Sequence, residues 1–322
     1  HDGVTRNSIC EGRVRDYIFS GLDMSKAGLC YVQHNPELEE IYFCYHTGDD
    51  MHTLPDCSHC NRAAVYNYTA DTWSFIDLPN TVAGATANIN TVTSLVVSNF
   101  NIDDLTGIED FTDLEDLTVY GNQLTSLDVS ANTALTNLDC SFNQLASLDV
   151  SNNIALTELY CDDNQLASLD VSNNPNLTYL ECEYNQLLSL DVSNNPNLKN
   201  LFCYNNLITS LDVSTNTALI YLVCANNQLV TLDVSNNTSL ISLECFNNQL
   251  TSLDIRNGNN TNFTFATSFV NNSNLYCIDV SNPIWAIGNW TVSNGSISPW
   301  NVFSDSCSIE ILGCTDTNAC NY

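Results

Sequence analysis

The middle of the chain repeats one arrangement of apolar and polar residues at a fixed interval of 21 positions. From Leu124 it reads LTSLDVSANTALTNLDCSFNQ, and the pattern restarts at Leu145, Leu166, Leu187, Ile208, Leu229 and Leu250. Alternation over residues 137–141 predicts a short strand that turns Leu138 and Cys140 inward and the other three side chains toward solvent. A repeat of this length predicts a solenoid in which each unit forms one coil.

A single coil of this size cannot fold by itself. Its six apolar residues would contribute about 10 to 15 kcal/mol if fully buried. Ordering its 21 backbone residues costs roughly 20 to 40 kcal/mol, so the coils must stack and share strand hydrogen bonds. An asparagine follows each strand, and we expect a ladder of inward amides that satisfies bent backbone groups, formed by Asn143, Asn164, Asn185, Asn206, Asn227 and Asn248.

The most regular part of each unit is the motif L-x-x-L-x-C-x-x-N-x-L, which eight consecutive units match, the first two less tightly. One full example comprises Leu135, Leu138, Cys140, Asn143 and Leu145. The motif resembles the signature of the leucine-rich repeat family, in the 21-residue form of Bacteroidota-type bacteria. Over residues 91–276 this resemblance implies a leucine-rich repeat solenoid, with a parallel β-sheet and otherwise irregular coils.

The cysteines of the solenoid differ from those that follow it. One cysteine occupies the third leucine position of six successive coils, and we predict buried free thiols there, with metal or redox chemistry as the alternative. These are Cys140, Cys161, Cys182, Cys203, Cys224 and Cys245. Residues 277–307 resemble the cap that closes bacterial leucine-rich arrays, which implies a disulfide between Cys277 and Cys307. The stretch over 308–322 resembles the start of a module of secreted proteins, cut short after Tyr322.

The first 80 residues lack the repeat. Alternating residues over 40–45, 63–68 and 72–76 predict an antiparallel β-meander. The segments GRVRDYIF, NPELEEIYFCY and CNRAAVYNYTADTWSFIDLPN resemble the tail tubular (nozzle) protein of podovirus-type phages. This resemblance implies a propeller-like blade of a ring at the phage tail tip. The small, polar residues 81–90 are predicted to be a linker.

The charge balance excludes some partners. The chain has 37 Asp and Glu residues against 7 Lys and Arg, for a formal net charge of -30. Such a surface repels phosphate backbones and anionic headgroups, so we predict neither a nucleic-acid nor a membrane partner.

The chain offers little for catalysis. All five histidines precede residue 60, so the solenoid has no histidine to activate a serine or cysteine nucleophile. Paired carboxylates leave a glycosidase as an alternative, but no feature favours a pocket that would raise an acid's pKa. Cys57 and Cys60, in a C-x-x-C spacing, are half of a zinc-site pattern, and a loop disulfide or unpaired thiols are the preferred interpretation. We predict that the protein is not an enzyme and has no cofactor.

Seven aspartates form a column on the return side of the coils, the side on which the chain runs back from one strand to the next. In one interpretation each carboxylate accepts local main-chain N–H bonds and turns the chain. In the other, the row holds calcium ions, which favour oxygen ligands. The column comprises Asp128, Asp149, Asp170, Asp191, Asp212, Asp233 and Asp254.

The outward strand positions vary from coil to coil and place aromatic and acidic residues side by side. Exposed aromatic clusters are common at recognition surfaces, and the alternative is a solvated acidic face that serves solubility. We predict that the concave face binds ligand through Tyr120, Tyr160, Tyr179, Glu181, Glu183, Phe202, Tyr204, Tyr221 and Phe246.

These features together predict a non-catalytic recognition or adhesion module that is extracellular or virion-associated. Its concave face would bind a protein or glycan on a bacterial surface, and its N-terminal segment would attach it to other subunits of a phage tail. Two alternatives are a structural tail component with the solenoid as spacer, and a secreted bacterial leucine-rich repeat adhesin.

Overall fold

The computed structural model of the chain describes residues 92–263 and 267–307 in full, and the backbone of four N-terminal strands. The chain divides into two compact units, His1–Ala155 and Leu156–Tyr322. The predicted linker over 81–90, the Cys57 and Cys60 pair, and the predicted tail over 308–322 lie outside the described residues.

The first unit begins with an antiparallel sheet of four strands in the order β1-β2-β3-β4. The predicted meander is confirmed, and its strand β1 is an addition that the sequence pattern did not predict. Strand β1 starts with the apolar run LCYV and ends in polar residues, so it lacks the alternation that marks the other strands. The four strands are β1 (Leu29–Asn35), β2 (Glu40–Tyr45), β3 (Arg62–Asn67) and β4 (Thr72–Asp77).

The same unit contains the first coils of the solenoid. Strands β5 (Ser94–Val96), β6 (Asp116–Thr118) and β7 (Asn137–Asp139) pair in parallel, and a 3-10 turn at Ile108–Asp110 lies between β5 and β6. The register places the central leucine of each strand beside that of the next. Because side chains alternate along a strand, these leucines form a continuous buried row.

The second unit continues the pattern with a second set of parallel strands. Their central leucines are fully buried and in register from coil to coil. Two residues after each cysteine the backbone adopts a positive φ, which turns the chain and ends the strand. The strands are β8 (Glu158–Tyr160), β9 (Tyr179–Glu181), β10 (Asn200–Phe202), β11 (Tyr221–Val223) and β13 (Ser242–Glu244).

A further parallel sheet, which the sequence pattern did not predict, lies on the return side of the second unit. Its strands are β12 (Thr231–Asp233), β14 (Ser252–Ile255), β15 (Cys277–Val280) and β16 (Val302–Ser304). No strand was predicted on this side, where the aspartates were expected either to turn the chain or to bind calcium. The pairing of β14 with β15 crosses residue 276, where we predicted the solenoid to end.

The predicted asparagine ladder is confirmed. The amide nitrogen Nδ2 of Asn206 donates to the carbonyls of Cys203 at 3.2 Å and of Cys182, one coil earlier, at 3.0 Å. Its Oδ1 accepts the N–H of Leu187 at 2.9 Å. Each such residue therefore joins two coils through groups that the turn leaves without strand partners.

A second asparagine ladder also joins the coils, and sequence reasoning missed it. Asn216, for example, is fully buried, and its Nδ2 donates to the carbonyls of Val192 and Asn195 in the preceding coil, both at 2.9 Å. Asn216 is the last residue of a V-S-x-N sequence. This sequence has the composition of a surface turn, so nothing in the local pattern predicts that Asn216 is buried. The members of this ladder are Asn132, Asn153, Asn174, Asn195, Asn216 and Asn237.

The six repeat cysteines are free thiols with no exposed surface, as predicted. Burial raises the pKa of Cys182, Cys203 and Cys224 well above the ordinary thiol range, and neighbouring thiols of the column add to the shift for these three. These cysteines therefore act as small apolar side chains, because a thiol that stays protonated is a poor nucleophile and metal ligand.

The C-terminal part of the second unit packs around Trp290, which is 3% exposed. Its ring contacts those of Phe263, Phe269, Trp285 and Phe303 at centroid distances of 5.3 to 5.7 Å. The helix α1 (Pro283–Asn289), which was not predicted, leads into this cluster, and the side chain of Asn282 caps its first turn by accepting the N–H of Trp285.

A disulfide joins Cys277 to Cys307, with 5.8 Å between their Cα atoms. It connects strand β15 to the segment that follows β16. In the part of the chain that the structure describes, no helix has the length and apolar character to cross a membrane.

We expect Asn206→Ala to lower the free energy of unfolding by about 2 to 4 kcal/mol, because it leaves buried carbonyls and the Leu187 N–H without partners. Urea denaturation followed by circular dichroism measures this change. Asn194→Ala, at an exposed position of the same coil, should change stability by less than about 0.5 kcal/mol. Equal losses in the two variants would contradict the role of the ladder.

We also expect the six repeat cysteines to resist alkylation in the native chain, since all six are fully buried and out of reach of the reagent. Iodoacetamide labelling with peptide mapping should find them unmodified before denaturation and modified after it. Rapid labelling of Cys182 or Cys203 in the native state would show that the column is accessible.

Candidate functional site

The outward side chains of the second unit form a surface that we call the strand face. It comprises residues 158–163, 179–184, 200–205, 221–226 and 242–247, the outward positions of β8 to β11 and β13 with the bends that follow. The inward leucine and cysteine of each strand hold the backbone, so the outward residues vary without changing the core.

Three aromatic residues from successive coils form a row across this face. The ring of Tyr179 lies 5.1 Å from that of Tyr160 and 5.7 Å from that of Phe202, between centroids. The ring of Tyr204 meets that of Tyr184 edge-on at 5.3 Å. Three of the aromatic residues predicted to bind ligand thus lie in one row, and a fourth, Tyr204, pairs with Tyr184, which was not predicted.

Tyrosine hydroxyls hold the acidic residues of the face in place. Tyr160 Oη donates to Glu158 Oε2 at 2.9 Å, and Tyr179 Oη donates to Glu181 Oε1 at 2.6 Å. Burial, followed by the hydrogen bond and charge of Glu181, raises the pKa of the Tyr179 hydroxyl. The tyrosines therefore remain donors, and both carboxylates keep further lone pairs that can accept hydrogen bonds from a ligand.

Glu183 departs from the prediction that it projects into solvent. It is only 7% exposed, as is Asp162 at the equivalent position of the preceding coil, because β9 ends at Glu181 and the chain no longer alternates between two faces there. Loss of water raises the pKa of Glu183 to about 8, and the charges of Asp162 and Glu181 act in the same direction. Its Oε2 has no hydrogen-bond partner.

The bend after each strand carries residues that sequence reasoning missed. Phe142, Asp163 and Tyr184 have φ between 48° and 52°, a left-handed conformation that costs about 1 to 3 kcal/mol for a bulky side chain. Asparagine, which tolerates this conformation, occupies the equivalent position of the later coils, for example Asn205 and Asn226. The sequence does carry a signal for these bend residues: Phe142 and Tyr184 stand where the later coils have asparagine.

The remaining predicted aromatic residues belong to other coils. Tyr221 in β11 and Phe246 after β13 are half-buried on the same face. Tyr120 belongs to the first unit, where its ring lies 5.1 Å from that of Phe142. The strand face of the second unit therefore carries eight of the nine predicted ligand-binding residues.

The aspartates of the column on the return side form local hydrogen bonds with the main chain. Each carboxylate accepts the N–H of the residue two positions later, as Asp191 does from Ser193 at 2.9 Å. Hydrogen bonds from the side chain and the backbone of Ser193 lower the pKa of Asp191. Asp254 also pairs with Arg256. Across residues 92–263 and 267–307, no three His, Cys, Asp or Glu side chains converge closely enough to hold a metal ion.

The comparisons with known proteins address the fold. No protein-family model matches the sequence, and the comparison with curated proteins finds no match. Among solved structures, the functional domain of InlJ from Listeria monocytogenes, which includes a cysteine ladder, is 43% identical with a TM-score of 0.54. That match covers 60% of this chain and 45% of the InlJ chain. The chain folds as a leucine-rich repeat solenoid.

A leucine-rich repeat protein of Leptospira interrogans is also similar, with 26% identity and a TM-score of 0.50. That match covers 66% of this chain and 51% of the other. The chain therefore spans about half the length of these two relatives.

We expect the pH dependence of stability to report the burial of Glu183. Its pKa is about 8 in the folded chain against 4.5 as the ordinary value, so its contribution is fully present below about pH 4.5 and is lost as the pH rises through about 8. The free energy of unfolding should fall across that interval, and Glu183→Gln should reduce the slope. Urea denaturation between about pH 5 and about pH 8 measures it.

The matched control is Glu115→Gln, at an exposed position outside the strand face. It should leave the slope unchanged. A Glu183→Gln profile that parallels the wild type would show that the Glu183 carboxyl ionises freely in the folded chain.

Proposed function

We propose that this solenoid is a non-catalytic recognition module that binds a protein ligand on the strand face of its second unit. The observation that carries this proposal is the row formed by Tyr160, Tyr179 and Phe202, in contact with each other and flanked by acids. Tyrosine and phenylalanine supply large contact areas with few rotatable bonds, and such residues dominate the energy of protein interfaces.

The rigidity of the frame supports this proposal. The backbone beneath the face is fixed by parallel strands and by both asparagine ladders, which join each coil to the preceding one. A surface held in its binding conformation loses little entropy on association, so modest contacts suffice for affinity.

The strained bend at Tyr184 supports it further. Its side chain is 48% exposed, and its left-handed backbone costs more than the asparagine found in the later coils. Strain of this kind persists where a side chain serves function, since stability alone favours asparagine at this position.

The chemistry of the face favours binding over catalysis. No histidine occurs after residue 59, so the solenoid's hydroxyl and thiol groups lack the usual base. The hydroxyls of Tyr160 and Tyr179 already donate to glutamates, an arrangement that fixes side chains for recognition.

We infer an extracellular location, and from the N-terminal resemblance to phage nozzle proteins we infer display on a phage tail, with a ligand on a bacterial surface. A secreted bacterial adhesin and a tail component with the solenoid as spacer are the alternatives. The aromatic row favours recognition over the spacer, because a spacer has no need of clustered, partly exposed rings.

Selection of a displayed random-peptide library on the full chain tests this function. We expect enriched peptides whose affinity falls at least about tenfold in the double variant Tyr160→Ala with Phe202→Ala, because the row supplies the apolar contacts. Thermal melting of each variant checks that the fold is intact.

Leu188→Ala is the control, since Leu188 is a 61% exposed apolar side chain outside the strand face. It should bind the peptides as the wild type does. Failure to enrich any peptide would favour the spacer, enrichment of glycans on an array instead would redirect the proposal to carbohydrate, and full binding by the double variant would move the site elsewhere.

A further inference from the structure

One carboxyl oxygen of Glu183 lacks a hydrogen-bond donor. Its carboxyl group is almost entirely buried, yet Oε2 contacts no donor. An acceptor that is removed from water and left unpaired costs roughly 1 to 3 kcal/mol, and more when it is charged. A ligand that supplies a donor at this atom would recover that free energy on binding.

The surroundings of Glu183 are acidic. Asp162 is equally buried in the preceding coil, and Glu181 lies in the same strand segment. The groups that act on the pKa of Glu183 are Asp162, Glu181, Tyr204 and the backbone, and none of them is cationic. Only Lys199 and Arg256 follow residue 91, and Arg256 pairs with aspartates of the return side.

Two aromatic rings border the same place. The side chain of Tyr204 interacts with the Glu183 carboxyl group, and its ring meets that of Tyr184 at an interplanar angle of 77°. Ring faces attract organic cations, and a carboxylate beside perpendicular rings suits an ammonium or guanidinium group. A bare metal ion fits less well, because the described acids do not converge as metal ligands.

We propose that Glu183 and Asp162, with the rings of Tyr184 and Tyr204, bind a lysine or arginine side chain of the protein ligand. This inference rests on the proposed function and specifies its partner as a basic peptide segment. Oε2 is closed off from solvent, so binding requires the Glu183 side chain to turn outward until the charged donor meets it, and the alkyl stem would then lie along the aromatic rings.

Short glycine peptides with one central lysine, arginine or norleucine are the probes. Tyrosine-ring NMR resonances of the full chain, assigned through Tyr184→Phe and Tyr204→Phe, report their binding. We expect saturable shifts at Tyr184 and Tyr204 with the lysine and arginine peptides and none with norleucine, because norleucine keeps the stem and lacks the charge.

Above about pH 8, where Glu183 is ionised, Glu183→Gln should weaken the basic peptides at least about tenfold, since a neutral amide replaces a charge-assisted acceptor. Glu115→Gln, which alters an exposed acid outside the strand face, should change their affinity less than about twofold. Melting temperatures establish that both variants fold.

A pH titration separates ion pairing from a merely structural effect. Asp162, Glu181, Tyr179, Tyr204, Cys182 and Cys203 are the titratable groups that interact with Glu183. The affinity for the lysine peptide should rise up to about tenfold per pH unit toward pH 8 as Glu183 loses its proton, and Glu183→Gln should remove this rise.

Equal shifts by norleucine and lysine peptides would overturn the cation site, as would unchanged affinity in Glu183→Gln. Either result leaves the proposed function standing if library peptides still depend on Tyr160 and Phe202. Library peptides that bind through this row but contain no basic residue would likewise refute the cation site alone.

Discussion

The structure depends on hydrogen bonds that pass from one coil to the next. A coil of 21 residues buries too little apolar surface to offset its own ordering, so its bent backbone must find partners in its neighbours. The two asparagine ladders meet this need where strand pairing ends. Asn206 binds the carbonyls of two coils and the N–H of Leu187, and Asn216 binds two carbonyls of the preceding coil on the return side.

Because these buried residues hold the coils together, the outward side chains of the strand face are free to vary. Leucine, cysteine and asparagine recur at fixed positions, whereas the outward positions change from Glu158 to Tyr179 to Asn200 in successive coils. Two features of the face oppose stability: the left-handed backbone of Tyr184 and the buried carboxyl group of Glu183. A frame with strong interactions between coils can tolerate both, and both lie where we place ligand contacts.

The parts of the fold that follow from periodicity were predictable. Leu138 and Cys140 point inward because side chains alternate along a strand. Asparagines equivalent to Asn206 recur at the position where the chain bends after each strand. The ladder through Asn216 was not predictable, because its local sequence matches that of an exposed turn. Alternation holds only within a strand, and β9 ends at Glu181, so it assigned the wrong side to Glu183, which is buried as its equivalents Asp162 and Ala225 are.

The central claim is that ligand occupies the strand face of the second unit. Hydroxyl-radical footprinting of the full chain, with and without a library-selected peptide, tests it most directly because the radical labels exposed aromatic side chains. We expect reduced labelling of Tyr160, Tyr179 and Phe202, and unchanged labelling of Tyr276, which is 64% exposed and outside the strand face. Protection of Tyr276 with no change at the aromatic row would contradict it.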